Sequence, residues 1–196
     1  MLSKVKSFGL IGIDGYPIDV EIDISAGLPK CDIVGLADTA IKESKERVKS
    51  AIKNSGYDYP INAITINLAP ADKKKEGPLY DLAMAIGLLS ASSTPVVDYQ
   101  KIQDCIFLGE LSLNGDVKKV NGILPILISA RSLGYKKFFI PYANINEASF
   151  IDKIEIYAVK NLKQTVNYFN GTEIIEPVKP KSFEEMALEQ TPNALD

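Results

Sequence analysis

Alternation is the clearest local signal in the chain. Ile18, Val20, Ile22 and Ile24 take turns with Asp19, Glu21, Asp23 and Ser25, which predicts a strand with one face on a core and the other in water. Residues 4–13 are β-rich as well, and Asp14-Gly15 is read as the tight turn joining them to a second strand over 17–24. Gly27-Leu28-Pro29 breaks the run, and residues 31–36 form another short strand. The period then changes. Ile41, Val48, Ala51 and Ile52 make the inner stripe of a helix that starts at an Asp38 N-cap and reaches about Asn54. Lys42, Glu43, Glu46, Lys49 and Lys53 fall outside that stripe, and Gly56 closes the helix as a C′ glycine.

Residues 63–68 predict a strand with Ile64 and Ile66 on one face and Thr65 and Asn67 on the other. A loop over 69–78 has proline at both ends. Residues 79–90 are almost entirely apolar, so they predict a helix buried in the middle of the fold. A hairpin over 105–113 and 117–120 is turned by Asn114-Gly115. Helix over 124–133, strand over 137–140, a short helix over 145–151, strand over 154–159 and a last helix over 161–169 complete an α+β layer fold, a mixed sheet with packed helices. From Gly171 the composition shifts: Pro177, Pro180 and Pro192 among alternating charges read as a linker over 171–196, with helix only over 183–188. Residues 1–170 are thus read as one domain.

Composition narrows the chemistry. The 196 residues can bury a real core, and 46% hydrophobic with 24% charged residues is ordinary for a globule. A net charge of −3 offers no basic excess for nucleic acid. Cys31 and Cys105 lack metal-ligand spacing and read as small buried hydrophobes in a reducing cytosol, so the localisation expected is cytoplasmic. No apolar run approaches the ~18 residues of a membrane span, and the N-terminus does not read as a signal peptide. Histidine is absent, which removes Ser-His-Asp and Cys-His catalysis and histidine-ligated zinc. Gly9, Gly12 and Gly15 sit inside a hairpin and do not form a dinucleotide fingerprint, and no P-loop motif exists.

Two stretches carry a resemblance. They are residues 69–82, with Lys75-Glu76-Gly77-Pro78-Leu79, and residues 108–141, beginning Leu108-Gly109-Glu110-Leu111. Both resemble the proteolytic domain of the Lon family, whose nucleophilic serine follows the Gly-Pro. Its lysine ends a Val-Gly-Gly-Leu-Lys run. The serine position is Leu79 here, and Val120-Asn121-Gly122-Ile123-Leu124 puts Leu124 at the lysine position. A serine needs a base within hydrogen-bond reach, and a lysine serves only when burial leaves its amine neutral. Two leucines supply neither, so the resemblance implies a Lon-like fold without catalytic residues.

The run Val34-Gly35-Leu36-Ala37-Asp38 continuing to Val48, with Ala51-Ile52-Lys53-Asn54-Ser55-Gly56 and Asn67-Leu68-Ala69-Pro70-Ala71-Asp72, resembles the amino-terminal domain of the ComM/YifB family over residues 4–170. These are magnesium-chelatase-like AAA+ proteins in which a Lon-like domain precedes an ATPase module. The resemblance implies a non-catalytic accessory domain of a hexameric ATP-driven DNA helicase that promotes branch migration during natural transformation. It implies no cofactor within these residues, with ATP and magnesium expected in the ATPase module, and as partners that module, neighbouring protomers and DNA, but no membrane.

Three local features compete with bland readings. Lys73, Lys74 and Lys75 are the candidate DNA or partner contact, set against a solvated loop beside the lost dyad. Asp72, Glu76 and Asp81 are read as locally ion-paired carboxylates, in preference to a metal cluster, with Asp81 also a candidate helix cap. Ser112 and Ser129 are candidates for a displaced nucleophile in an alternative protease reading. A chelatase-type regulator is the third reading, and it finds no histidine or cysteine cluster for ligands.

Overall fold

The computed structural model describes residues 2–190. In chain order it contains β1 (Leu2–Ile11), β2 (Asp14–Ser25), β3 (Lys30–Val34), α1 (Thr39–Lys42), α2 (Ser44–Asn54), β4 (Ala63–Ala69) and α3 (Asp81–Ala91). Then come α4 (Tyr99–Ile102), β5 (Cys105–Phe107), β6 (Glu110–Leu111), β7 (Val117–Lys118), α5 (Ile123–Ser132) and β8 (Lys137–Pro141). A 3-10 turn at Tyr142–Asn144, α6 (Ile145–Ala148), β9 (Glu155–Val159), α7 (Leu162–Phe169) and α8 (Phe183–Gln190) complete the order. The main sheet has seven strands in the order β3-β4-β2-β1-β5-β8-β9, and β6 with β7 makes a separate two-stranded ribbon.

The sheet is mixed. β1 and β4 run antiparallel to β2, whereas β3 is parallel to β4, and β1, β5, β8 and β9 form a parallel half. Alternation explains how each half is covered. In β2, Ile18, Val20 and Ile22 are buried beneath α3, while the opposite face is polar. There Lys6 reaches Asp19 at 3.0 Å and Asn67 donates to Glu21 at 2.8 Å. The three strands β5, β8 and β9 are apolar on both faces, as a doubly covered sheet requires. Phe107, Phe139 and Tyr157 stack in a row across β5, β8 and β9 at 5.1 and 5.0 Å, under Phe169 of α7. On the other face Ile106, Phe138, Ile140 and Ile156 pack with Ile123, Ile126 and Leu127 of α5.

α3 is the central helix, and every residue from Asp81 to Ala91 is buried. At Gly87 an added Cβ would lie 2.3 Å from Ile22 Cδ1, so the helix presses directly on β2. The inner stripe Ile41, Val48, Ala51 and Ile52 is buried as its spacing predicts, and Asp38 Oδ1 accepts from Ile41 N at 2.8 Å as the N-cap of α1.

Five local expectations are corrected. The first hairpin turns at Gly12-Ile13, not Asp14-Gly15: Ile11 pairs with Asp14, and Gly12 supplies the positive φ of 62°. Asp14 and Gly15 belong to β2. The helix expected over 38–54 is divided into α1 and α2 at Glu43. The strand expected over 105–113 divides too, β5 joining the main sheet and β6 the ribbon that Asn114-Gly115 turns. Asp81 is the first residue of α3 and does not cap it. Finally, the start of the segment expected to be linker packs on the globule: Ile175 is buried, Val178 N donates to Ile156 O at 2.7 Å, and Lys181 N donates to Ser149 O at 2.9 Å. Pro192 lies outside the described residues. No helix among the described residues is long and apolar enough to cross a membrane.

Candidate functional site

The loop before α3 meets the end of β1 and the approach to α5 around a cleft of about 470 Å³. Leu10, Leu79, Val120 and Ile126 give it an apolar floor, and Asp38, Lys74, Glu76, Glu110 and Lys119 stand around it. None of the residues lining it is serine, threonine or cysteine.

Leu79 lies two residues before α3. Its carbonyl accepts from Gly109 N at 2.9 Å, and Gly109 O accepts from Leu82 N at 3.0 Å, so the residue is locked to the strand-to-ribbon link. Gly109 has no room for a side chain, because a Cβ there would meet Val117 Cγ1 at 2.8 Å. Leu79 is half-buried and packs against both hydrophobic clusters of the protein. Leu124, in the first turn of α5, is also half-buried and packs against the second of them. The two residues thus share one apolar cluster, although Leu124 is not among those lining the cleft.

The lysine run does not behave as one unit. Lys74 is exposed, and Lys73 lies over the ring of Tyr16 at 4.5 Å. Lys75 is 1% exposed, which corrects its reading as part of a solvated loop. Its Nζ donates to Gly35 O at 2.7 Å and to Pro70 O. Burial pulls its ammonium below the ordinary lysine range, with Asp72 opposing. Its backbone is held as well: Lys75 N donates to Leu36 O at 3.0 Å, and Asp38 N to Lys75 O at 3.2 Å. Asp38 Oδ2 also accepts from Gly77 N at 3.1 Å, so one carboxylate caps α1 and fixes the loop beside Leu79. Gly35 makes the crossing possible. Its φ is +106°, and a Cβ there would stand 2.3 Å from Leu68 O.

The carboxylates part company. Asp72 and Glu76 are exposed and form no salt bridge with a described residue, which corrects the expectation of local pairing with Lys73 to Lys75. Asp81 is wholly buried, and its partner is Arg47, with Nε to Oδ2 at 2.8 Å and Nη2 to Oδ1 at 3.2 Å. Leu111 N adds a third donor at 3.0 Å. Burial pushes the Asp81 carboxyl above its ordinary value against the pull of these donors, and Asp81 in turn holds Arg47 charged. No group of three or more metal-ligating side chains occurs among the described residues. Tyr80 beside them is fully buried, which pushes its phenol well up and keeps it neutral.

Both alternative serines have structural partners. Ser112 Oγ donates to Asn114 Oδ1 and accepts from Asp116 N at 3.1 Å inside the ribbon turn, and Ser129 Oγ accepts from Gly15 N at 2.8 Å. Arg47 and Asp38 are the residues to which sequence reasoning gave no part here. Arg47 falls within a motif already singled out, but its partner lies 34 positions away.

Residues 20–144 match the family described as subunit ChlI of Mg-chelatase. YifB of Escherichia coli, an uncharacterized protein, is 38% identical over 188 residues, which cover 96% of this chain and 37% of YifB. The competence protein ComM of Haemophilus influenzae is 36% identical over 172 residues, 88% of this chain and 33% of ComM. Lon protease 2 of Bacillus subtilis is 30% identical over 170 residues, 78% of this chain and 30% of that protease. The chain spans about a third of the length of these curated relatives.

Proposed function

The chain belongs to the family of the Mg-chelatase subunit ChlI, alongside YifB and ComM and on a Lon-like fold, and from that membership we propose that it is a non-catalytic accessory domain. Its parent is a hexameric AAA+ ATPase and DNA helicase that drives branch migration in the cytoplasm during natural transformation. The ATPase module binds ATP and magnesium. This domain helps to assemble and orient the ring and touches DNA.

The observation that carries the reading is the pairing of a retained frame with lost chemistry. Lys75, Asp38 and Gly35 pin the loop beside Leu79 through partly buried hydrogen bonds. Yet Leu79 and Leu124 bring only hydrocarbon to the positions where the Lon resemblance would put nucleophile and base. A serine-lysine hydrolase needs both groups, whereas a docking domain needs only a stable surface.

The test treats the chain with a fluorophosphonate and a fluorogenic peptide, then measures ring assembly of the parent protein with and without residues 1–170. No covalent label, no hydrolysis and impaired assembly on deletion are the expected results. A label on any serine of the native chain sinks the non-catalytic reading, and normal assembly of the truncated parent sinks the accessory one.

A further inference from the structure

The outer face of α2 is more basic than the chain as a whole. Lys45, Lys49 and Lys53 recur at four-residue spacing and line a groove of about 240 Å³, with Lys30 of β3 in the same lining. Glu46 is the one carboxylate in that lining. Lys30 lies 3.6 Å from Asp32 in a largely exposed pair, the kind that contributes little. Lys45, Lys49 and Lys53 form no salt bridge with a described residue, and Lys49 Nζ sits 5.6 Å from the centroid of the Tyr59 ring. In a chain of net charge −3 this is a local reversal of sign.

Geometry adds a direction to the charge. Four residues of α-helix advance about 6 Å and overshoot a full turn by about 40°, so the three lysines form a slowly winding row whose rise per step is close to the spacing of successive phosphates along a strand. The groove does not end there. The stretch 59–62 also lines an adjoining cleft of about 490 Å³, which Tyr57, Val96 and Ile24 make half apolar. Ile61, at the boundary between the two clefts, is 80% exposed. A row of cations beside an aromatic and aliphatic shelf is what binds a single nucleic-acid strand without sequence preference, phosphates on one side and base faces on the other. An acidic polypeptide would answer the charge but has no use for the regular repeat or the shelf.

We infer that this groove is a binding site for a single nucleic-acid strand, with its phosphates along Lys45, Lys49 and Lys53 and its bases turned over Tyr57 and Ile61. The inference deepens the accessory reading by placing its DNA contact on α2 instead of the lysine loop, and it rests on that reading only for the class of partner.

The experiment titrates labelled thymidine oligomer with the whole chain across a range of salt, with a poly-aspartate competitor and a melting curve for each variant. Lys45→Ala/Lys49→Ala/Lys53→Ala is expected to melt like the native chain and bind at least tenfold more weakly. Its log–log salt slope is expected to be shallower by about 2, three phosphate contacts at about 0.7 each. Lys73→Ala/Lys74→Ala is expected to bind like the native chain. Unchanged affinity in the triple variant overturns the inference, as does native-chain binding that is lost to poly-aspartate as readily as to unlabelled oligomer. Failure of the native chain to bind at low salt overturns it too. Ring assembly of the parent carrying the triple variant is read separately: intact assembly leaves the accessory reading standing whatever becomes of the groove.

Discussion

Arg47 and Asp81 join α2 to α3 through two hydrogen bonds, at 2.8 and 3.2 Å, on a carboxylate with no solvent exposure. Arg47 Nη2 also donates to Ala40 O at 3.0 Å and to Ser44 Oγ at 2.9 Å, and Asp81 accepts from Leu111 N. One ion pair therefore fixes the peripheral helices, the central helix and the β6–β7 ribbon relative to one another.

Removing one partner strands the other in a dry interior. Arg47→Leu is expected to destabilise the chain by about 3–5 kcal/mol, because the Asp81 carboxylate loses its only cationic partner among the described residues. Arg47→Leu/Asp81→Leu is expected to regain part of that loss, since two apolar groups cost less than one unpaired charge. Urea denaturation of the three proteins checks both, and a double variant no more stable than the single one contradicts the account.

Lys75 is expected to matter more for stability than either neighbour. Lys75→Met keeps the length of the stem but leaves Gly35 O and Pro70 O, both partly buried, without their donor, at about 1 kcal/mol each. Lys74→Met, on an exposed side chain, is expected to stay within about 0.5 kcal/mol of native. Amide exchange at Gly77, whose N–H is held by Asp38, reports whether the loop has opened. Protection at Gly77 that survives Lys75→Met goes against a pinning role.

How far these relationships were legible depends on their range. The burial of α3 shows in its own composition, and the inward positions of β2 show in their alternation, because each is decided by neighbours in sequence. The first turn is ambiguous in sequence because Gly12-Ile13-Asp14-Gly15 carries two turn glycines. What selects Gly12 is the pairing of Ile11 with Asp14, which places Tyr16 in phase with Ile18. Lys75 reads as solvated in sequence because it is a lysine among lysines. Its burial is set by carbonyls 40 positions before it and 5 before it. Of the basic row on α2, Lys49 and Lys53 show in the sequence as outer-face lysines, but Lys45, Lys30 and the 59–62 stretch join them only through the fold.

Cys105 gives a pH signature. Burial, with Asp104 and Glu155 adding to it and Lys137 opposing, pushes its thiol from 9.0 up to about 11. The unfolded thiol ionises first, so the folded state holds more protons between these values. Stability from this group is complete below pH 9 and is lost as pH rises toward 11. Cys105→Ala is expected to show a shallower decline over that window, measured by urea midpoints at successive pH values. Parallel profiles for the two proteins rule the assignment out.

Leu79 is expected to resist restoration. Leu79→Ser removes a side chain shared by both clusters and is expected to cost about 1–3 kcal/mol. Leu79→Ser/Leu124→Lys is expected to remain unlabelled by a fluorophosphonate, because Leu124 does not line the cleft that Leu79 faces. Labelling of the double variant shows that the two positions still meet.

The two margins of the main sheet are finished differently. Beyond β9, Val178 N already donates to Ile156 O and the chain's own tail fills that side. At the other margin β3 has β4 alone for a neighbour. Its outward residues Lys30 and Asp32 are charged, and its last residue, Val34, is 46% exposed. Among the described residues, growth of the main sheet by another strand is therefore open at β3, guarded at one end by charge and exposed at the other through hydrocarbon.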